Sequence, residues 1–371
     1  MVGLTLAALA GAAGCGPPAA RGPVTFAVIS NILATDGGNE VPRAASGTAL
    51  VRLGRTIREI NESKDVAFVV LDGNLVGRGE ARALDSLRGV LGELKKPYYV
   101  VLGPETENEK LKIKNEKLET ATETTTSAPG GGEVLNSNPS PDPEGSPSPK
   151  GEGFNGTGAV NTTVLTWTFS GHGFNGPAPY WSATASGGLG LVGLYSAAAG
   201  AGRAGHIDAA QLVWLDRTLG ERSGEAVIIF SYHSLVSFHP LDNTAAWQDR
   251  LVDNREEVLE VLRRHSNVLL VVSASHGFAE GQTVGSVVQS SVAALGIWPL
   301  AYEVVRVTPT TVEEQYVPVG TDDEKRAAFD RLAEDPAIQE VFGTGDRSEQ
   351  QVLQIFAGRK MQSWILKTLR P

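Results

Sequence analysis

Apolar runs and amphipathic segments alternate along the first hundred residues of the chain. The run VTFAVIS is rich in β-branched side chains and is typical of a buried strand. Leu50, Leu53, Ile57 and Ile60 recur at the spacing of one helix face. The pattern predicts strands over 24–30, 66–71 and 97–103 and helices over 46–63 and 81–94. Such alternation is typical of an α/β fold in which loops at the strand ends carry function.

The same pattern returns in the second half of the chain. It predicts two short strands within 179–196, buried strands within 226–233 and 267–278, and antiparallel strands within 301–319. Helices are predicted over 209–222 and 254–266. From Thr321 onward the apolar spacing is helical, which predicts a domain over 24–320 followed by a C-terminal helical extension over 321–371.

The alternation stops after Gly103. Between residues 105 and 153 there are six prolines, six glycines and no aromatic residue. A stretch of this composition cannot bury enough apolar surface to offset the entropy lost on ordering. We therefore predict a disordered insertion over 105–163, inside the domain. Its ten acidic and five basic residues give it a charge of -5.

The first 14 residues are apolar, small and uncharged, and they lead directly into Cys15. This pattern resembles the signal and lipobox of a bacterial lipoprotein, although no Lys or Arg precedes the apolar run. We predict a lipoprotein signal and tether over 1–23, with Cys15 lipidated and the protein held on an extracytoplasmic membrane surface. The alternative is an unremarkable apolar N-terminus with a buried cysteine. No later segment has the unbroken apolar run of a membrane-spanning helix.

Composition and charge exclude several classes of function. The 371 residues include 32 basic and 42 acidic side chains, for a net charge of -10, so the basic surface of a nucleic-acid-binding protein is absent. A single cysteine excludes a disulfide framework and a cysteine-rich zinc site. Any chemistry must therefore use Asp, Asn, His, Ser or the backbone.

Several segments at the strand ends carry a family resemblance. They are VVLDGNLVGRGE, PYYVVLG, PYWSATASGGLGLVGLYS followed by QLVWLDRTL, and VLLVVSASHGF. In this order they resemble the calcineurin-like metallophosphoesterase superfamily. The resemblance implies an α/β fold of two mixed β-sheets packed as a sandwich and flanked by helices. It also implies two divalent cations that generate a hydroxide and neutralise phosphoryl oxygens.

The metal ligands that the resemblance implies are largely replaced in this chain. The family motifs are Asp-x-His, Gly-Asp, Gly-Asn-His-Asp or Glu, a His near a Pro, and Gly-His-x-His. The matching degenerate positions are Asn31 and Leu33, then Asn74, then Pro104 and Glu105, and finally Ala274. At the fourth motif two alignments remain open, because the ligand falls on either Tyr232 or His233. His276 keeps the last histidine.

Replacement of carboxylates by amides weakens any metal site. Amide oxygens are poor ligands for such cations unless carboxylates accompany them. We therefore expect no bound cofactor. If the protein is active, a divalent Mn, Fe, Zn or Mg ion would be held by His276, His233 and water. Asp36, Asp72 and Glu105 lie near the motif loops, but structural roles are the commoner explanation for such residues.

Three serines close to the histidines in sequence are candidate nucleophiles. Ser234, Ser273 and Ser275 neighbour His233 and His276, which raises the idea of a Ser-His hydrolase. No G-x-S-x-G nucleophile elbow is present, which argues against it. His239 lies six residues after His233, but a surface role is favoured for it.

Three hypotheses about function follow. The leading one is a lipid-anchored protein of the metallophosphoesterase fold that has lost its catalysis and serves as a binding or structural protein. The rival is an active phosphoesterase, acting on phosphodiesters or phosphomonoesters through an altered site. The third is a decayed gene product, which an insertion in a ligand loop favours. Beyond the membrane, the sequence identifies no protein or small-molecule partner.

Overall fold

The structure is a computed structural model that describes residues 22–35, 49–77, 81–104, 160–197, 204–239, 242, 247–334 and 364–368. Within these ranges the strands are β1 (Val24–Ser30), β2 (Val66–Asp72), β3 (Tyr98–Val101), β4 (Trp181–Ala185), β5 (Leu189–Leu194), β6 (Val227–Ser231), β7 (Val268–Ser273), β8 (Glu280–Val284), β9 (Val287–Ser291), β10 (Ala301–Val307), β11 (Thr311–Pro318) and β12 (Trp364–Thr368). The helices are α1 (Ala49–Glu62), α2 (Ala81–Leu91), α3 (Thr162–Thr168), α4 (Ala209–Glu221), α5 (Arg255–Arg263) and α6 (Asp322–Ala333).

The strands form two mixed sheets of six strands each. Sheet 1 has the order β12-β11-β10-β1-β2-β3, and sheet 2 has the order β4-β5-β6-β7-β9-β8. In sheet 1 the strands β1, β2 and β3 are parallel, and β10 pairs antiparallel with β1. In sheet 2 the strands β5, β6, β7 and β9 are parallel. The carboxyl ends of the central strands therefore supply one group of loops from each sheet.

The two sheets pack face to face through aromatic side chains. Phe26 of β1 stacks on Phe68 of β2 with ring centroids 4.9 Å apart, and Phe230 of β6 meets Phe26 edge-on at 6.0 Å. Side chains alternate between the faces of a strand, so Ile229 points the other way, toward Leu215 and Val258 on the helices outside sheet 2. Full burial of a side chain of this size contributes about 1.5–3 kcal/mol.

The predicted fold class is confirmed, because two mixed sheets are flanked by helices. The predicted strands and helices between residues 24 and 103 and between 179 and 319 are all present, with ends shifted by a few residues. The hairpin of β8 and β9 was not predicted. Its first strand is polar and half-exposed, so it lacks the apolar run that marks a buried strand.

Two predicted boundaries differ from the structure. The insertion predicted over 105–163 extends into described residues, where Val160 is buried and α3 begins at Thr162. The side chain of Asn161 caps α3 by accepting a hydrogen bond from the amide of Val164 at 2.9 Å, which gives this segment a defined start. Residues 105–159 lie outside the described residues.

The C-terminal extension is helical only in part. α6 forms as predicted and begins with a capping box between Thr321 and Glu324. Residues 364–368, predicted to be helical, form instead the strand β12, which pairs antiparallel with β11 and extends sheet 1. Val352, Ile355 and Phe356, which carry part of the helical pattern, lie outside the described residues, as does the predicted signal with Cys15. No helix in the described ranges is long and apolar enough to cross a membrane.

Candidate functional site

Four of the degenerate motif positions meet at one point between the two sheets. Asn31 follows β1, Asn74 follows β2, Tyr232 follows β6 and Ala274 follows β7. The side chain of Asn31 donates from Nδ2 to the carbonyl oxygen of Ala274 at 2.7 Å, which joins sheet 1 to sheet 2. The parallel strands therefore bring together the loops that the sequence singled out.

A hydrogen-bonded cluster of neutral side chains occupies this point. Asn74 Nδ2 donates to Asn31 Oδ1 at 3.1 Å and to the phenolic oxygen of Tyr232 at 2.5 Å. The phenol lies 3.5 Å from Asn31 Oδ1. All three residues are at most 7% exposed. We call Asn31, Asn74 and Tyr232 the amide–phenol cluster.

The backbone of the first two loops is held in left-handed conformations. The φ angle is 45° at Asn31, 53° at Leu33 and 27° at Asn74. Asparagine adopts this region more readily than most residues, whereas leucine does so at a cost of about 1–2 kcal/mol. The amide of Leu33 donates to the carbonyl of Asn74 at 2.9 Å, so the two loops run side by side. Leu33 is buried at the position that matches a metal-binding histidine.

Two glycines make room for the cluster. A Cβ atom on Gly73 would lie 2.0 Å from the ring of Tyr232, so the phenol packs directly on the backbone. A Cβ atom on Gly103 would lie 2.5 Å from Asn74 Oδ1. Pro104 is buried beside it, and Glu105 lies outside the described residues. The ring of Tyr232 therefore fills space above the glycine of the Gly-Asn pair.

His233 meets the ring of Tyr232 edge-on at 4.9 Å, but its hydrogen bonds are made outside the amide–phenol cluster. Ser196 Oγ accepts the backbone amide of His233 at 3.0 Å and lies 2.9 Å from its Nδ1. The hydroxyl of Ser196 has a second lone pair and one hydrogen, so it can accept from Nδ1–H or donate to an unprotonated Nδ1. Burial, aided by the nearby charges of Arg250 and His276, lowers the pKa of His233 to about 3. Of the two open alignments, it is Tyr232 that occupies the cluster.

His276 is paired with a carboxylate. Its Nε2 lies 2.9 Å from Asp242 Oδ1, and its ring meets Phe238 edge-on at 5.2 Å. The other oxygen of Asp242 accepts the backbone amides of Phe238 and His239 at 2.8 and 3.2 Å. Burial alone would raise the pKa of Asp242, but the hydrogen bond from His276 and the two amides hold it below its ordinary value. No sequence pattern indicates this pair, since 34 residues separate its members.

Asp72 is the described carboxylate nearest to the cluster in sequence. Its side chain is fully buried, and neither oxygen has a hydrogen-bond partner among the residues that the structure describes. Burial raises its pKa well above the ordinary value, so the neutral acid is favoured. Asp36, another candidate from the sequence, lies outside the described residues.

The remaining candidates have structural partners. Ser275 Oγ donates to the carbonyl of Arg250 at 2.7 Å and lies 3.5 Å from His276 Nδ1, so its hydrogen is not directed at the imidazole. Ser234 and Ser273 accept hydrogen bonds from Gln289 Nε2. A Ser-His nucleophile of the kind considered above is not assembled by these residues.

The donor set at the cluster does not fit a pair of divalent cations. It consists of two amides, one phenol and one backbone carbonyl, all neutral, and both histidines face other partners. Two dications in contact need carboxylates to offset their mutual repulsion, and hard cations prefer carboxylate oxygens. Across the part of the chain that the structure describes, no three His, Cys, Asp or Glu side chains are grouped to hold a metal ion.

Comparison with known proteins identifies the architecture. No family profile and no curated protein matches the chain. A dimetal phosphatase from Danio rerio superposes with a TM-score of 0.50 at 14% identity, covering 80% of this chain and 96% of that one. PhoD superposes with a TM-score of 0.47 at 11% identity, covering 82% and 69%. The purple acid phosphatase PPD1 from yellow lupin gives 0.44 at 10%, covering 81% and 52%.

At sequence identities of 10–14%, the similarity to these proteins shows the fold alone. The sheet order, the flanking helices and the match to the fish phosphatase over nearly its whole length agree with one another. The chain has the calcineurin-like metallophosphoesterase fold.

Proposed function

We propose that this chain uses the metallophosphoesterase fold as a non-catalytic binding or structural scaffold. The observation that carries the proposal is the seating of Tyr232 between Asn31 and Asn74, with each of these amides bonded to a neutral partner. A hydrolase of this fold would need anionic ligands at these positions to hold cations and to lower the pKa of a bound water.

The amide–phenol cluster connects loops from both sheets by hydrogen bonds, as a bound metal ion would connect them through its ligands. In a metal site, ligands from both sheets are tied to a common centre. Here the loops after β1, β2, β6 and β7 are tied through Asn31, Asn74, Tyr232 and the Ala274 carbonyl. The scaffold is thereby held together by uncharged groups, which supports a role that does not depend on a metal.

The rival function, an active phosphoesterase with an altered single-metal site, has one observation in its favour. His276 is oriented by a buried carboxylate, Asp242, in the manner in which carboxylates orient metal-binding histidines. In that case a divalent Mn, Fe, Zn or Mg ion would use His276, and water would complete its coordination.

A direct test separates the two functions. The purified protein would be incubated with Mn²⁺, freed of unbound ion and analysed for metal content, and then assayed with bis(p-nitrophenyl) phosphate and p-nitrophenyl phosphate. The scaffold proposal expects substoichiometric metal and no turnover above buffer. Stoichiometric metal, with turnover that chelators and His276→Ala both abolish, would establish the rival. His265→Ala is the matched control, because His265 pairs with Asp216 on the outer helices.

We also propose that the scaffold is tethered to an extracytoplasmic membrane surface through Cys15. The support is the apolar run before this cysteine in the sequence. In a bacterial host that processes lipoproteins, the full chain should sediment with membranes, and Cys15→Ser should move it to the soluble fraction. Sedimentation that is unchanged by Cys15→Ser would contradict lipid anchoring.

A further inference from the structure

Two glutamates are buried side by side at the far end of the sandwich from the β3 edge. Glu303 lies on β10 and Glu314 on β11, and their side chains are 0% and 1% exposed. Glu303 is opposite Tyr316 and Glu314 is opposite Val305, so the two glutamates are diagonal neighbours on one face of sheet 1. Burial of even one carboxyl is costly unless its oxygens are satisfied.

Both carboxyl groups reach across to sheet 2. Glu303 Oε1 accepts the backbone amide of Ala293 at 2.8 Å, just beyond the end of β9. Glu314 Oε2 accepts the hydroxyl of Ser290, within β9, at 2.6 Å. The β10–β11 hairpin of sheet 1 is thereby attached to the end of sheet 2 through two side chains.

The second oxygen of Glu303 receives no hydrogen bond from any donor in the described residues. The carboxyl of Glu314 lies within side-chain hydrogen-bond reach of the Glu303 carboxyl, as their diagonal positions on one face of the sheet allow. Two ionised carboxylates in contact in an apolar interior repel strongly, and neither can donate a hydrogen bond. A proton on one of them converts the repulsion into a hydrogen bond.

The groups around Glu303 explain which carboxyl keeps the proton. Val28 of β1 is apolar, the Ala293 amide is neutral, and the phenol of Tyr316 lies opposite on β11. Burial first, and then the charge of Glu314, raises the pKa of Glu303 well above its ordinary value. The hydroxyl of Ser290 lies closer to Glu314 Oε2, at 2.6 Å, than to the carbonyl of Glu280, at 3.2 Å, and its hydrogen bond to Glu314 favours the ionised form of that carboxyl.

We propose that Glu303 is protonated at neutral pH and donates its proton to Glu314, so that this acid–carboxylate pair is a pH-sensitive clamp between the two sheets. Loss of the proton at higher pH leaves two adjacent charges and weakens the attachment of the β10–β11 hairpin to β9. Because the folded state holds a proton that the unfolded chain releases at the ordinary glutamate pKa, the stabilisation is full in acid and declines as the pH rises.

The test compares wild type with Glu303→Gln. The amide nitrogen of glutamine can donate permanently to Glu314, while its oxygen still accepts the amide of Ala293. The folded-to-unfolded ratio of wild type should fall relative to this variant by up to about tenfold for each pH unit, because one proton is lost on unfolding. The control is Glu313→Gln, one residue from Glu314 on the other face of β11, which should leave the wild-type slope unchanged.

A second readout does not require a folded variant. In wild-type protein carrying ¹³C-labelled glutamate carboxyls, one buried carboxyl should give the chemical shift of a protonated acid at neutral pH. It should titrate only well above the ordinary range of glutamate. Equal pH slopes for wild type and Glu303→Gln, or glutamate carboxyls that are all ionised at neutral pH, would overturn the proposal.

Discussion

The hydroxyl of Tyr232 provides the sharpest test of the amide–phenol cluster. The substitution Tyr232→Phe keeps the ring that packs on Gly73 and removes only the oxygen that accepts Asn74 Nδ2 at 2.5 Å. No cavity is created. The second contact of the hydroxyl, at 3.5 Å from Asn31 Oδ1, is at the limit of a hydrogen bond and contributes little.

The expected cost follows from the donor that is left behind. Asn74 has two amide hydrogens, and one of them retains Asn31 Oδ1 as its acceptor. The other loses the acceptor that it has at 2.5 Å, in a site where Asn74 is 1% exposed. Removal of one partner from a buried hydrogen bond costs about 1–3 kcal/mol. For a chain of this size that corresponds to a fall in Tm of roughly 2–6 °C.

The assay is urea denaturation followed by circular dichroism, for wild type, Tyr232→Phe and Tyr99→Phe. Tyr99 is half-buried against Phe68 and Trp181. Loss of its hydroxyl in Tyr99→Phe should change the unfolding free energy by less than about 0.5 kcal/mol. The slope of the free energy with urea should be the same in all three proteins. A Tyr232→Phe protein as stable as wild type would refute the hydrogen-bonded cluster.

Further predictions concern charge at buried positions. Between about pH 7 and pH 4, wild type should lose about 3 kcal/mol of unfolding free energy relative to His233→Asn. The reason is that His233, with a pKa of about 3 in the folded protein, takes up its proton in this range only when the protein unfolds. For Asp72 the sign is opposite, because burial raises its pKa in the folded protein. Wild type should therefore lose stability relative to Asp72→Asn as the pH rises above about 4, the ordinary aspartate pKa. Asn74→Asp should lower the stability by about 1–3 kcal/mol because a carboxylate cannot donate to Asn31. Restoration of that loss by Mn²⁺ in a thermal melt would show that a metal can still bind.

The arrangement of strands could be predicted because its causes are local. Runs such as 24–30 and 66–71 are continuous and apolar, and both are strands with the predicted limits or within one residue of them. By contrast, β8 is a half-exposed polar edge strand without an apolar run. The helix α3 has the sequence TTVLTWT, whose threonines have low helix propensity, so the pattern does not predict a helix there. β12 is a strand because it pairs with β11, and the local sequence pattern of residues 364–368 does not predict this pairing.

The candidate site could be located from sequence but not built from it. The order of motifs placed Asn31, Asn74 and Ala274 at strand ends that the structure brings together. Whether Tyr232 or His233 would face them depended on the side to which each points as β6 ends, which the sequence left open. The pairing of His276 with Asp242 depended on the path of a loop, which no spacing predicts.

The contact between Tyr232 and Gly73 also controls how this site can change by mutation. A carboxylate introduced alone at position 74 would face a phenol and an amide, and a histidine introduced alone at position 232 would remove the ring packed on the glycine. Each of these single changes costs stability before any ion is present to compensate. A change at position 31 does so too, because Asn31 ties the loop after β1 to Ala274 and Asn74. A metal site at this point would therefore require several coordinated changes at once.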